Sequence, residues 1–241
     1  MGFGTALNLA DISGMRNVAP ALSGLLLAAC QGGPATQWAV PPPTGAEVLE
    51  IPSLASSLAP LREEFNRRAD QARIVVLLSS TEGPCALGAR AVRESVLESY
   101  PDADLWVAVV WVDMQPSDCS RSVALAARRF VDDRVEHFHD PAKRAGRAFA
   151  VGLLPTGVAW DVYLFYPPGS RWLDDPPSPL TWSHQLGRIN PEHFHPREVL
   201  FEKLHEATAK LLASEAAAMS ERAPTVPPGR TRWTGVYPPV P

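Results

Sequence analysis

The chain has 241 residues, of which 46% are hydrophobic, 20% charged and 25 are proline. That length and balance fit one globular domain with tails, and they exclude a wholly disordered chain and a multi-span membrane protein. A formal net charge of -4 offers no concentrated basic face, so no nucleic-acid partner is expected, and no cofactor is expected either.

At the start of the chain, Met15-Arg16-Asn17 precedes an apolar run over residues 18–29 that is too short to span a bilayer, the pattern of a secretory signal. Residues 1–14 fit such a signal poorly, which points to Met15 as the true start. The run ends in Leu27-Ala28-Ala29-Cys30, which resembles the bacterial lipobox. That resemblance implies cleavage before Cys30, a lipid on its sulfur, and a protein held on the membrane at the periplasmic or extracellular face. Residues 30–47, with Pro41-Pro42-Pro43, then read as a tether. Cys85 and Cys119 would work where disulfides can persist.

Residues 48–217 carry the periodicity of a folded domain. Ser53 can cap a helix bearing Leu54, Leu58, Leu61 and Phe65 at helical spacing. Residues 73–80 read as a strand whose core, Ile74-Val75-Val76-Leu77-Leu78, is a continuous apolar run, as in a strand covered on both faces. A turn at Thr81-Glu82-Gly83-Pro84 leads into a helix over residues 85–100. A second apolar strand is expected over 105–112 and a second helix over 117–131. This alternation predicts a parallel strand pair with a right-handed crossover, in an α/β domain whose mixed central sheet is flanked by helices. A short strand over 135–139, a proline-opened helix over 141–151 and a long strand over 158–166 follow. Residues 167–196 form a Pro/Trp-rich loop, 197–217 an amphipathic helix, and 218–241 a disordered Pro-rich tail.

Glu82-Gly83-Pro84-Cys85 after a strand and before a helix is similar to the Cys-Gly-Pro-Cys corner of thioredoxin. His139-Asp140-Pro141, Phe149-Ala150-Val151-Gly152 and Leu154-Pro155-Thr156 are similar to the stretch leading to the cis-proline of membrane-anchored thiol-disulfide and peroxiredoxin-like proteins. The resemblance covers residues 50–170 and implies a thioredoxin-like fold with Cys85, Cys119, Glu82 and Pro155 at its site. Glu82 stands where that family has its attacking cysteine, and a carboxylate cannot form a mixed disulfide. Pro155 is expected to be the cis-proline; the alternative places Ala159-Trp160 there.

Three readings of function follow. Cys85, with Cys119 as a replacement partner in a disulfide or dithiol, could support thiol redox chemistry on a protein or peptide; the alternative for Cys85 is a buried, inert thiol. A non-catalytic module would keep the fold and use the cleft beside Glu82 and Pro155 for binding. A metal-handling lipoprotein would draw on His137 and His139, which share one strand face, or on His193 and His195 with His184 nearby; the plainer reading leaves these imidazoles in water. Aromatic residues around 160–182 either bind a partner or order the long loop. Asp161, if buried, needs a partner, and Arg171 is the candidate nearest in sequence.

Overall fold

A computed structural model describes residues 49–155, 157–187 and 189–222. The expected signal, Cys30, the tether and the tail beyond residue 222 lie outside these. Five strands form one sheet in the order β3-β2-β1-β4-β5. Strands β1 (Ala72–Leu78), β2 (Leu105–Val112) and β3 (Val135–Asp140) run parallel, with Ala72 opposite Leu105 and Val107 opposite Val135. Strands β4 (Val162–Tyr166) and β5 (Thr181–His184) complete the sheet antiparallel.

The continuous apolar runs have a direct cause in this layering. Every residue of β1 and β2 is buried, because helices cover both sheet faces. Helices α2 (Gly83–Val92), α3 (Ser120–Ala127) and α5 (Arg197–Arg222) lie on the face presenting Val76, Leu78, Val109 and Trp111. Helices α1 (Ala59–Arg67) and α4 (Arg144–Ala150) lie on the face presenting Val75, Leu77, Ala108 and Val110. Each fully buried aliphatic side chain contributes about 1.5–3 kcal/mol, so the β1–β2 pair is the part of the sheet least tolerant of change. Helix α2 continues as a π-helical turn over Arg93–Glu98, which carries the expected helix close to its predicted end.

Several elements depart from the sequence reading. Ser53 does not cap a helix: it bridges His139 of β3, with Leu54 N–H donating to His139 O at 2.7 Å, and α1 begins only at Ala59-Pro60. Leu54 is buried through that bridge, so its helical spacing from Leu58 is coincidental. Pro141 does not open α4. The Asp140 carboxylate accepts from the N–H groups of Arg144 at 2.7 Å and Gly146 at 3.1 Å, which fixes the helix start three residues later. Residues 158–161 are not strand, because Gly157 and Asp161 take positive φ of 71° and 53° and turn the chain before β4. The Pro/Trp-rich segment contains β5, hidden in the sequence by the prolines ahead of it. Helix α5 reaches Arg222, into the segment expected to be a tail. Among the described residues no helix is long and apolar enough to cross a membrane.

The loop after β4 is fastened by a buried cation. Arg73 on β1 is fully buried, donates to the carbonyls of Phe65, Pro167 and Ser170 at 2.9–3.0 Å, and lies 4.3 Å from the Phe65 ring centre. Burial, with the nearby Arg171 charge, lowers its pKa to about 10. Trp172 packs edge-on against Phe65 and Phe149, so this aromatic segment orders the loop.

Candidate functional site

Glu82 precedes the first turn of α2 at the carboxyl end of β1, with Gly83 and Pro84 opening the helix. One of its carboxylate oxygens accepts from Gln115 Nε2 at 3.2 Å, and the other accepts from the Cys85 thiol at 3.8 Å. Burial, with the Asp118 charge, raises the Glu82 pKa, while the hydrogen bonds from Cys85 and Gln115 oppose the shift. Cys85 points into the core and has no exposed surface. Its thiol is pushed far up by burial first and by the Asp161 carboxyl second, so it stays protonated and un-nucleophilic.

Asp161 faces this corner from the residue just ahead of β4 and is 2% exposed. Its partner is the Tyr163 hydroxyl, which donates at 2.8 Å; Arg171 instead donates to Asn66 O. Burial pushes the Asp161 carboxyl up to about 6, and the Glu82 charge adds to the shift. This pair depends on a close approach of α2 to β4: a Cβ at Gly88 would stand 1.9 Å from the Tyr163 hydroxyl. Between Glu82 and Asp161 lies an open cleft of about 390 Å³, walled by Pro84, Trp160, Leu186 and Ile189.

Pro155 does not line that cleft. It is exposed in a turn, and among the described residues no peptide bond is cis. Trp160 and Asp161 take the position facing the motif, close to the alternative placement at Ala159-Trp160, because the left-handed turn at Gly157 carries the chain past Pro155 before it enters β4. Cys85 and Cys119 are not joined to each other: Cys85 is a free thiol enclosed in the core.

The histidines divide between two regions. His137 accepts from Trp111 Nε1 at 3.2 Å through Nδ1, which leaves Nε2–H to donate to Phe130 O at 2.9 Å; burial lowers its pKa, in keeping with this neutral tautomer. His139 lies 2.9 Å from Asp113. Across the sheet, His193 stacks on Trp182 at 4.0 Å, and the His195 N–H donates to His184 O at 3.0 Å. Among the described residues no three His, Cys, Asp or Glu side chains come together in a group able to hold a metal.

Asp118 organises the corner and escaped the sequence reading. It is 7% exposed and accepts from the hydroxyls of Ser79, Ser80 and Thr81 and from the N–H groups of Thr81, Met114 and Gln115, at 2.8–3.0 Å. Burial pushes this carboxyl up, but the hydrogen bonds from Gln115, Thr81, Ser79 and Ser80 outweigh it and hold the group below the usual carboxylate range. The β1–α2 and β2–α3 loops are thereby tied to one carboxylate. The run Ser79-Ser80-Thr81 facing a loop aspartate was the available signal.

The strand order, the parallel β1–β2 core and a Gly-Pro-Cys corner opening a helix at the carboxyl end of a central strand define a thioredoxin-like fold. Its site carries a carboxylate at the first motif position and a buried thiol at the last. No family model and no curated protein matches the chain. Among solved structures it is similar to a thioredoxin-like protein in its oxidized form, at 14% identity over 58% of this chain and 80% of that one, with a TM-score of 0.41. It is also similar to a putative protein disulfide isomerase from Bacteroides thetaiotaomicron, at 12% identity over 64% and 80% of the two chains, with a TM-score of 0.41. A SCO1/SenC family lipoprotein from Bacillus anthracis matches at 8% identity over 58% and 83%, with a TM-score of 0.35.

Proposed function

We propose that the protein is an extracytoplasmic thioredoxin-fold binding module, whose motif cleft holds a segment of another protein without exchanging disulfides with it. The observation that carries this reading is the complete burial of Cys85, with its thiol held protonated beside Glu82. A thiol that neither ionises nor meets solvent cannot attack a substrate disulfide. The cleft offers what a peptide needs: apolar walls at Trp160, Leu186 and Ile189, and the polar side chains of Glu82 and Gln185. A peptide array probed with the full chain tests this. Wild type and Cys85→Ser should bind the same peptides, Trp160→Ala should bind them at least about tenfold more weakly, and neither protein should reduce insulin. Insulin reduction that disappears in Cys85→Ser would overturn the reading.

A second reading keeps thiol-disulfide chemistry but moves it to Cys119, which is half-buried at the start of α3 rather than enclosed like Cys85. Redox titration of the intact protein, followed by mass spectrometry of each cysteine peptide, tests it. A Cys119 disulfide that opens reversibly in the range of cellular thiol couples supports exchange there.

Membrane attachment through Cys30 belongs to the same proposal and rests on the lipobox resemblance. Acylation consumes that sulfur as a thioether, so it excludes a disulfide at the same atom. Non-reducing peptide mapping of membrane-extracted protein should find diacylglycerol on Cys30; a Cys30 peptide recovered in disulfide linkage would refute the anchor.

A further inference from the structure

A second cavity, of about 350 Å³, lies on the far side of α2 from the motif cleft, between α2 and α3. Its two walls are matching helical stripes. Ala86, Ala89, Arg90 and Arg93 project from α2 and its π-helical extension, and Ser122, Leu125, Ala126 and Arg129 project from α3 and the turn after it, both at i, i+3, i+4 and i+7. The small side chains of Ala86, Ala89 and Ala126 leave the space between the two helices unfilled, and Trp111 and Phe130 add apolar lining to it. Each stripe ends in an arginine at the mouth.

The polar groups inside already have partners. The Ser80 hydroxyl lies 2.7 Å from that of Ser122 and donates to Asp118, while Ser122 donates to Cys119 O at 2.9 Å. Nothing in the depth is therefore left to bind a charged group. At the mouth, Arg90 is held by Glu94 at 2.7 Å and Arg93 by Glu98 at 3.3 Å, but Arg129 makes no ion pair or side-chain hydrogen bond among the described residues. Leu125 stands beside it with 52% of its surface exposed. An uncommitted guanidinium above an apolar shaft matches one kind of molecule: an anionic head on a narrow apolar tail.

We propose that this cavity is a binding site for an amphipathic carboxylate of the fatty-acid type, with its carboxylate on Arg129 and its chain lying between Ala89 and Ala126 over Phe130. The site is independent of the motif cleft and shares no residue with its walls.

Titration calorimetry of the full chain with decanoate, paired with chemical-shift mapping, tests the assignment. Decanoate should bind saturably at one site and move the methyl signals of Ala89, Leu125 and Ala126. Decanol should bind at least about tenfold more weakly, and Arg129→Gln, a change on an exposed turn, should weaken decanoate by about the same factor. Ala126→Trp should fill the shaft and abolish binding, whereas Trp160→Ala in the other cleft should leave it unchanged. Equal affinity for decanol, an unaffected Arg129→Gln, or no saturable binding would each overturn the assignment.

Discussion

Replacing Asp118 by alanine removes the acceptor shared by six donors, three of them main-chain N–H groups. The serine and threonine hydroxyls can turn toward other oxygens: Ser80 toward Ser122, and Thr81 toward Ser117 at 2.8 Å. The N–H groups of Thr81, Met114 and Gln115 cannot turn, and at about 1 kcal/mol each their loss amounts to about 3 kcal/mol. That is a large fraction of a typical domain stability of about 5–15 kcal/mol. With a urea slope of about 2 kcal/mol per M, the midpoint of Asp118→Ala should fall by about 1.5 M at neutral pH. A second measurement isolates the charge. The folded-state pKa of Asp118 lies below its unfolded value, so its contribution is present above the unfolded value and is lost as pH falls through the folded one. Wild type and variant should therefore converge in stability as pH drops below about 4. A midpoint change under about 0.5 M, or a gap that persists into acid, would refute the hub assigned to Asp118.

Cys85 should resist alkylation in the native state, show no thiolate absorbance up to about pH 9, and react fully only after unfolding, since its folded pKa is raised above the unfolded value of about 8.5. Labelling at the rate of a free thiol in water would contradict its burial. For Asp161 the folded pKa of about 6 is also raised, so charging the buried carboxyl costs stability as pH rises from 4 through 6. Asp161→Asn, which still accepts from Tyr163, should gain about 2 kcal/mol relative to wild type between pH 4 and 7, seen in urea titrations at both pH values. Arg73→Met should cost about 2–4 kcal/mol and open residues 167–172 to limited proteolysis, because three carbonyls lose their donor; unchanged thermal unfolding would count against this.

The parallel core was legible in the sequence because its signal is redundant: continuous apolar runs over β1 and β2, separated by a helix-length segment that starts at Gly-Pro-Cys. What stayed hidden depends on contacts far apart in the chain. Leu54 has helical spacing but is buried by a bridge to His139. Strand β5 follows Pro176-Pro177 and Pro179, which local propensity marks as loop, and only pairing with Val162–Phe165 makes it a strand. At the site, the family pattern located Glu82 and Cys85 correctly at the head of α2. It misplaced Pro155, because two positive-φ residues, Gly157 and Asp161, re-route the chain in a way that no apolar period reports. Tyr163 gave no motif, and Asp118 only the faint one of a hydroxyl run at the end of β1; both roles come from loops and strands meeting in space.

Each margin of the sheet is bridged at one residue. On one side β3 is closed by Ser53, reaching back from ahead of α1, and on the other the four-residue β5 is closed by Phe194, reaching from ahead of α5. A sheet border with unpaired amides recruits strands from neighbouring molecules, and here single residues from the two flanks of the domain occupy those places. Each bridge takes up the main-chain groups of one edge residue, His139 or His184, that would otherwise be open to such pairing. A protein trimmed to start after Ser53 would keep its core yet uncover the rim of β3, and with it a template for fibrous assembly.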